Sequence, residues 1–377
     1  MRILVCSPSW PTSKTIDFVF VDQLCRAFAD LGHEITVIAP QSLTKCLFRH
    51  IPVMPRHSWY HTSKGAKIEL YRPYTITLGY SKFAKLFKNS YNNAVKRAFH
   101  KMKNNPDVCY GHFWNSIFAL YPLAKEKHIP LFGASGEEDV AHYVHQPQEL
   151  IDEIRGFLSG VVSVSSKNQS ECLALNLVEK EKSIVIPNAI DQTLFHRLDK
   201  QECRKEMGIG CEEFVVAFVG QFVPRKGTLR LDEALKKLND KQIKAVFIGS
   251  GVENPDYEGI IHKGRVAHDD IPRWLNAADV FVLPTENEGC CNAIIEAMAC
   301  GLPVVSTDLS FNYDILNDAN SIMIDCHDVD SISSSINKLK NNKELRQRLS
   351  SGAIATAEGL SIARRAERIV EFMQQRI

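Results

Sequence analysis

No run of 18 apolar residues occurs in this chain, which argues against a transmembrane helix. No Gly-x-Gly-x-x-Gly loop follows the first apolar strand candidate at residues 2–7, so a dinucleotide-dependent oxidoreductase is disfavoured. The 11 cysteines include no Cys-x-x-Cys pair and lie scattered in apolar segments, as buried reduced thiols do. Cys290 and Cys291 are adjacent but lack Cys/His neighbours, so no metal site is expected. Acid is nearly missing from one region: between Gln41 and Pro106, Glu69 stands alone against 13 Lys/Arg. That stretch carries about +12 in a chain of net charge +1, so the remainder carries about −11. The split points to an anionic partner for the first half or to a field across an interdomain cleft. No recognition motif accompanies the charge, so nucleic acid is not expected as that partner. The first residues read as a strand without a signal-peptide cleavage pattern, and a cytoplasmic protein is expected.

What is present fits two domains. A chain of 377 residues, 45% of them apolar, exceeds one ordinary core. Short, nearly continuous apolar strands alternate with helical periodicity twice. The first series places strands at 2–7, 34–40, 107–110, 130–132, 161–165 and 184–186, with helices after the first and near 115–127. After a polar stretch at 191–213, the second places strands at 214–219, 245–249, 280–284, 303–306 and 321–324. Helices are expected near 229–238, 271–278 and 293–300, and from 329 onward. Such alternation predicts doubly wound parallel sheets, with ligands at the carboxyl ends of the strands.

The segment from Glu286 to Val305 is the most informative. Glu288 and Glu296 are eight positions apart around Gly289, Cys290, Cys291 and Asn292, between a buried strand and a small-residue helix. If that interval is mostly helical, the carboxylates are roughly 12 Å apart along the axis. Two ionised carboxylates suit a ligand rich in hydroxyl donors, and the helix-start amides suit a phosphate or sugar oxygen. The spacing alone is equally that of a capped helix with a solvated Glu. A second element, Gly220-Gln221-Phe222-Val223-Pro224-Arg225-Lys226-Gly227, follows the 214–219 strand. Arg225 as a fork and Lys226 as a point charge suit a diphosphate there.

Taken in order, the segments 185–191, 218–227, 264–266, 278–284 and 288–305 resemble the retaining glycosyltransferases of family 4, the group 1 enzymes of glycogen synthase-like and mannosyltransferase type. The resemblance covers most of 180–350. It implies the GT-B fold, two Rossmann-like domains facing one another across a cleft. The acceptor-side domain would span 1–188, with the helix at about 361–377 packing back on it, and the donor domain 189–360. It implies transfer of a sugar from a nucleotide diphosphate-sugar donor to a glycan or lipid-linked acceptor, without cofactor or metal. Arg225 and Lys226 would hold the diphosphate, Glu288 the transferred sugar and Glu296 the ribose. Gly220, Gly289, Cys290, Cys291 and Asn292 would complete the donor site. Cys290-Cys291 replaces the Phe-Gly frequent in the family.

The first half departs further. Its loop at 7–17 has no glycine, and the strand at 130–132 is followed by Gly133-Ala134-Ser135-Gly136-Glu137 rather than by the family's histidine. His112 at another strand end and Glu137 are the candidate catalytic groups, and a packed, non-catalytic histidine is the competing reading. A non-catalytic sugar-nucleotide-binding relative therefore stands as an alternative. Residues 81–103 form a basic amphipathic helix. It reads either as a peripheral anchor on an anionic membrane or as a core-facing helix with a solvated basic face.

Overall fold

The computed structural model describes residues 1–12, 15, 18–76 and 84–377, without the side chains of 84–88 and 143. It divides into two compact units, one of Met1–Ile186 with Ile362–Ile377 and one of Pro187–Ser361.

The first unit begins β1 (Arg2–Cys6), α1 (Val19–Asp30), β2 (Glu34–Ile38), β3 (Gln41–Ser42), α2 (Leu43–Phe48), β4 (His57–His61), β5 (Lys67–Tyr71), β6 (Tyr74–Thr75) and α3 (Ala84–Phe99). It continues β7 (Val108–His112), α4 (Trp114–Lys127), β8 (Leu131–Ser135), α5 (Val140–Tyr143), α6 (Gln148–Phe157), β9 (Gly160–Ser163), α7 (Ser166–Ala174) and β10 (Ser183–Val185). The main sheet runs β10-β9-β8-β7-β1-β2-β5-β4, parallel except for the antiparallel edge pair β4–β5. Central strands are apolar on both faces because helices cover both, and β1 buries Ile3 and Val5 on one side and Leu4 and Cys6 on the other.

The second unit comprises α8 (Lys200–Met207), β11 (Phe214–Val219), α9 (Thr228–Leu238), β12 (Ile243–Ile248), β13 (Ile260–Gly264), α10 (Ile271–Ala277), β14 (Val280–Leu283), α11 (Asn292–Ala299), β15 (Val304–Thr307), β16 (Ser321–Ile324), α12 (Val329–Asn341) and α13 (Lys343–Glu358). Its sheet, β13-β12-β11-β14-β15-β16, is parallel throughout. The order reverses direction between β11 and β14, the switch point at which such sheets bind ligands.

The last helix, α14 (Ile362–Gln374), returns to the first unit, where Ala366, Ile369, Phe372 and Met373 are buried in the core that also holds Val21, Leu24 and Phe28 of α1. The Phe372 ring lies so close to Gly160 that a Cβ there would come within 2.6 Å. Helix and strand approach because that position has no side chain.

Local structure adds detail at three places. The interval between Glu288 and Glu296 is helical only from Asn292, where α11 begins, and Glu288 sits in the loop after β14. The helix before β14 is entered through a 3-10 turn, His268–Asp270, with no side-chain cap. Residues 41–76 hold the β4–β5 edge hairpin, whose strands carry too many polar residues to read as apolar runs. The start of the basic helix, residues 81–83, lies outside the described residues, as do 13–14 and 16–17 of the first loop. Within α3, Ala94, Val95, Ala98 and Phe99 are buried in the core. The second half of the apolar stripe thus packs inward, leaving Lys96 and Arg97 exposed. No helix among the described residues is long and apolar enough to cross a membrane.

Candidate functional site

The loops after β11 and β14 meet at the switch point of the second sheet. Gly220 follows β11, and Pro224–Lys226 forms one 3-10 turn that closes on Gly227 at φ 75. A Cβ on Gly227 would stand 2.3 Å from the Pro284 carbonyl oxygen, so only glycine lets the two loops touch. The contact is fixed by backbone: Glu286 N–H donates to the Arg225 carbonyl at 2.8 Å.

On this frame the predicted residues converge. Glu288 is 9% exposed, and its Oε1 accepts from Lys226 Nζ at 2.5 Å, Arg225 Nη1 at 3.1 Å and Thr285 Oγ1 at 2.9 Å. Arg225 also donates to the Asn287 carbonyl at 2.5 Å. Burial opposes the charge on Lys226, but the Glu288 carboxylate in contact with it helps to hold its ammonium above the ordinary lysine value. Two fixed cations against one carboxylate leave about +1 facing the loop, the sign a diphosphate requires.

Gly289, Cys290 and Cys291 are buried between this cluster and α11. The Asn188 side chain donates to the Cys290 carbonyl at 3.0 Å, tying the Pro187–Asn188 turn to the same loop. The Cys291 thiol is pushed up to about 11 by burial, so it stays neutral near Ala293 and Ile294 at the start of α11. Among the described residues no group of three or more His, Cys, Asp or Glu could hold a metal ion. Asn292 Oδ1 is buried and has no hydrogen-bond partner, an acceptor free for a ligand donor. One turn on, burial pushes the Glu296 carboxyl up to about 7. His268 Nε2 stands 3.9 Å from its Oε1, too far for a hydrogen bond.

Thr285 and Arg230 were not singled out from sequence. Arg230, in the first turn of α9, donates to Glu286 at 2.7 Å and to the Pro284 carbonyl at 2.8 Å, bracing the loop that carries Glu288. Its place one turn after the Arg225-Lys226 pair was the available signal.

Both candidates of the first unit are buried. Glu137, a candidate catalytic group, accepts from Trp114 N–H at 2.8 Å, Ser135 Oγ at 2.9 Å and Gly136 N–H at 2.9 Å. It closes the start of α4, and these three donors occupy all but about one of the lone pairs of its two oxygens. Burial still raises its carboxyl above the usual range, against those hydrogen bonds. The clamp holds Phe113 at φ 71, ψ 156, a conformation that costs a non-glycine residue on the order of 1–3 kcal/mol. His112 does end β7, but it is 3% exposed, and burial, with Arg365 adding to it, lowers its imidazole to about 3. Its Nδ1 is buried with no partner, and the Phe20 and Phe113 rings lie 5.4 and 4.9 Å from it. A ring kept neutral by an apolar wall is a weak proton acceptor.

Comparison with known proteins agrees with the geometry. A family model described as "Glycosyl transferases group 1" matches residues 199–356, and one described as "Glycosyltransferase Family 4" matches residues 18–194. TuaC of Bacillus subtilis (strain 168), a glycosyltransferase assigned to teichuronic acid biosynthesis, is 31% identical over 326 residues, covering 82% of this chain and 81% of its own. The fold is similar to that of sucrose-phosphate synthase from Thermosynechococcus elongatus, with a TM-score of 0.80 at 17% identity, covering 99% of this chain and 98% of that one. Anabaena HepE in complex with UDP-glucose superposes with a TM-score of 0.72 at 18% identity over the whole of both chains.

Proposed function

The chain belongs to the group 1 glycosyltransferases, built on two Rossmann-like domains of the GT-B fold and using nucleotide-sugar donors, and from that premise we propose a retaining hexosyltransferase of cell-surface glycan synthesis. Arg225 and Lys226 bind the donor's diphosphate, and the Glu296 carboxylate receives the ribose hydroxyls. Glu288 contacts the transferred sugar while keeping both cations aimed at the leaving group. The observation that carries this reading is the convergence of Arg225, Lys226 and Thr285 on one oxygen of Glu288.

Catalysis in this scheme is electrostatic. Negative charge grows on the diphosphate as the glycosidic bond breaks, and two prepositioned cations stabilise it without reorganising. Neutralisation by Arg225 and Lys226 leaves no required role for a metal ion. The acceptor is a hydroxyl of a glycan or lipid-linked sugar, an assignment supported by the kinship to TuaC. The exposed Lys96 and Arg97 of α3 would meet an anionic membrane surface through charge alone, since Ala94, Val95, Ala98 and Phe99 beside them are buried.

Thermal unfolding with UDP, GDP and ADP tests the donor site. A nucleotide at 100 times its dissociation constant adds about 2.7 kcal/mol of stability. One nucleotide should raise the midpoint, and Arg225→Ala should abolish the rise. No rise with any nucleotide at millimolar concentration overturns the assignment. Retention is tested on the product, whose anomeric proton should show the donor's configuration.

A further inference from the structure

A cavity of about 1110 Å3 lies in the first unit, and none of the donor-site residues lines it. One wall is the outer face of the β4–β5 hairpin. Strand alternation puts Ser58, Tyr60, Ile68 and Leu70 on one face, and His57, Trp59, Glu69 and Tyr71 on the other. The second face lines the cavity. The opposite wall is the end of α3 and the turn after it, with Arg97, Lys101 and Lys103.

The chemistry of this groove is unusual for a protein surface. Trp59 is 52% exposed, while Trp10 and Trp114 are buried. The His57 ring stacks on Tyr71 at 4.4 Å and an interplanar angle of 25°. Lys67 Nζ lies 4.8 Å from the centre of the Trp59 ring, and Arg56 lies 4.3 Å from that of Tyr74. Six cations line the cavity against two acids, Glu34 and Glu69. Of the acids, Glu69 is already engaged by His57 at 2.8 Å and Tyr71 at 3.0 Å. Lys101 and Lys103 are exposed and have no ion-pair partner among the described residues.

We propose that this groove is an accessory site for a short stretch of acidic glycan, a chain whose sugar rings carry carboxylates or phosphates. The half-exposed Trp59 ring, flanked by His57 and Lys67, offers an apolar surface for the C–H groups of a sugar ring, and the lysines and arginines at the rim meet the anionic substituents. The volume exceeds the roughly 300–1,000 Å3 of a typical small-molecule pocket, which suits an oligosaccharide. A lipid surface fits less well, since the site is concave and the neighbouring Ala98 and Phe99 of α3 are buried. Simple phosphate binding would leave the aromatic wall unused. The site would hold the growing chain near the enzyme between transfers and so raise its local concentration. The inference rests on the reading of this chain as a glycan-building enzyme, and its test is separable from that reading.

The test is titration with a hexameric oligogalacturonate, followed by Trp59 fluorescence and calorimetry, with neutral maltohexaose and inorganic pyrophosphate in parallel. The oligogalacturonate should bind at least about tenfold more tightly than maltohexaose, and pyrophosphate should not displace it. Trp59→Ala, and separately Lys101→Glu with Lys103→Glu, should each weaken binding by about tenfold or more. Both variants should keep the wild-type thermal response to nucleotide. No saturable binding at low salt, binding unchanged in both variants, or full displacement by pyrophosphate overturns the proposal. Loss of the nucleotide response with oligogalacturonate binding intact would instead overturn the donor assignment alone.

Discussion

Lys226 Nζ lies 2.5 Å from Glu288 Oε1, and their side chains are only 13% and 11% exposed. The pair joins two loops 62 positions apart in sequence, and its charges are mostly removed from water. Arg225 shares the same carboxylate oxygen, so one positive charge of the pair is left uncompensated by Glu288.

Removing one member should therefore affect stability and binding differently. Lys226→Ala leaves Glu288 with Arg225 and Thr285, so the cost to folding is held to about 1–3 kcal/mol. Nucleotide affinity should fall by about 100-fold or more, since a charge-assisted contact to the diphosphate is lost. Urea unfolding and calorimetry on the same variant separate the two effects. A large stability loss with normal nucleotide affinity would mark the pair as purely structural.

Glu296 sets a pH dependence. Burial raises its carboxyl from 4.5 to about 7, so the folded state favours the protonated form. Its contribution to stability is full below about pH 4.5 and is lost as pH rises through 7. Glu296→Gln should then stabilise the protein at pH 8 by about 1–3 kcal/mol. A ribose bound to the ionised form works in the opposite sense. Nucleotide affinity should weaken by up to about tenfold per unit as pH falls below 7. Glu296→Gln should bind weakly and remove this protein-derived part of the pH dependence. Calorimetry between pH 5.5 and 8 reads both, and an unaltered pH dependence in the variant would discount the ribose contact.

Gly227→Ala should cost about 2–4 kcal/mol, through positive φ and collision with the Pro284 carbonyl. Because the same turn carries Arg225 and Lys226, nucleotide affinity should fall with it. Chemical denaturation and the nucleotide-induced thermal shift check the two losses.

Glu137→Ala should unfold more readily, by about 1–3 kcal/mol, because it leaves the Trp114 and Gly136 amides without their acceptor. Were Glu137 a proton-transfer group, the variant would instead keep its stability and lose turnover. Comparing the unfolding midpoint with the single-turnover rate distinguishes these outcomes.

His112 should contribute no ionisation step to the pH–rate profile between 5.5 and 8, since burial keeps it neutral there. A step in that window that vanishes in His112→Gln would restore it as a catalytic candidate.

The parallel architecture was legible because its signals are local. Buried strands such as Val280–Leu283 are continuous apolar runs, and amphipathic helices such as α1 repeat every three to four residues. The candidate donor site was legible for a related reason: Arg225, Lys226, Glu288 and Glu296 occupy short motifs beside those strands. The edge hairpin was not legible, because one face of β4 and β5 carries Trp59, Glu69 and Lys67 in place of apolar side chains.

Sequence by itself determined which residue types stand at each strand end, and hence the family and the kind of ligand. Only tertiary structure decided their protonation and partners. Glu137 and His112 look like equal candidates in the chain, yet one is engaged by backbone amides and the other is walled in by aromatic rings. Charge state depends on burial and on neighbours distant in sequence, and neither is written in local spacing.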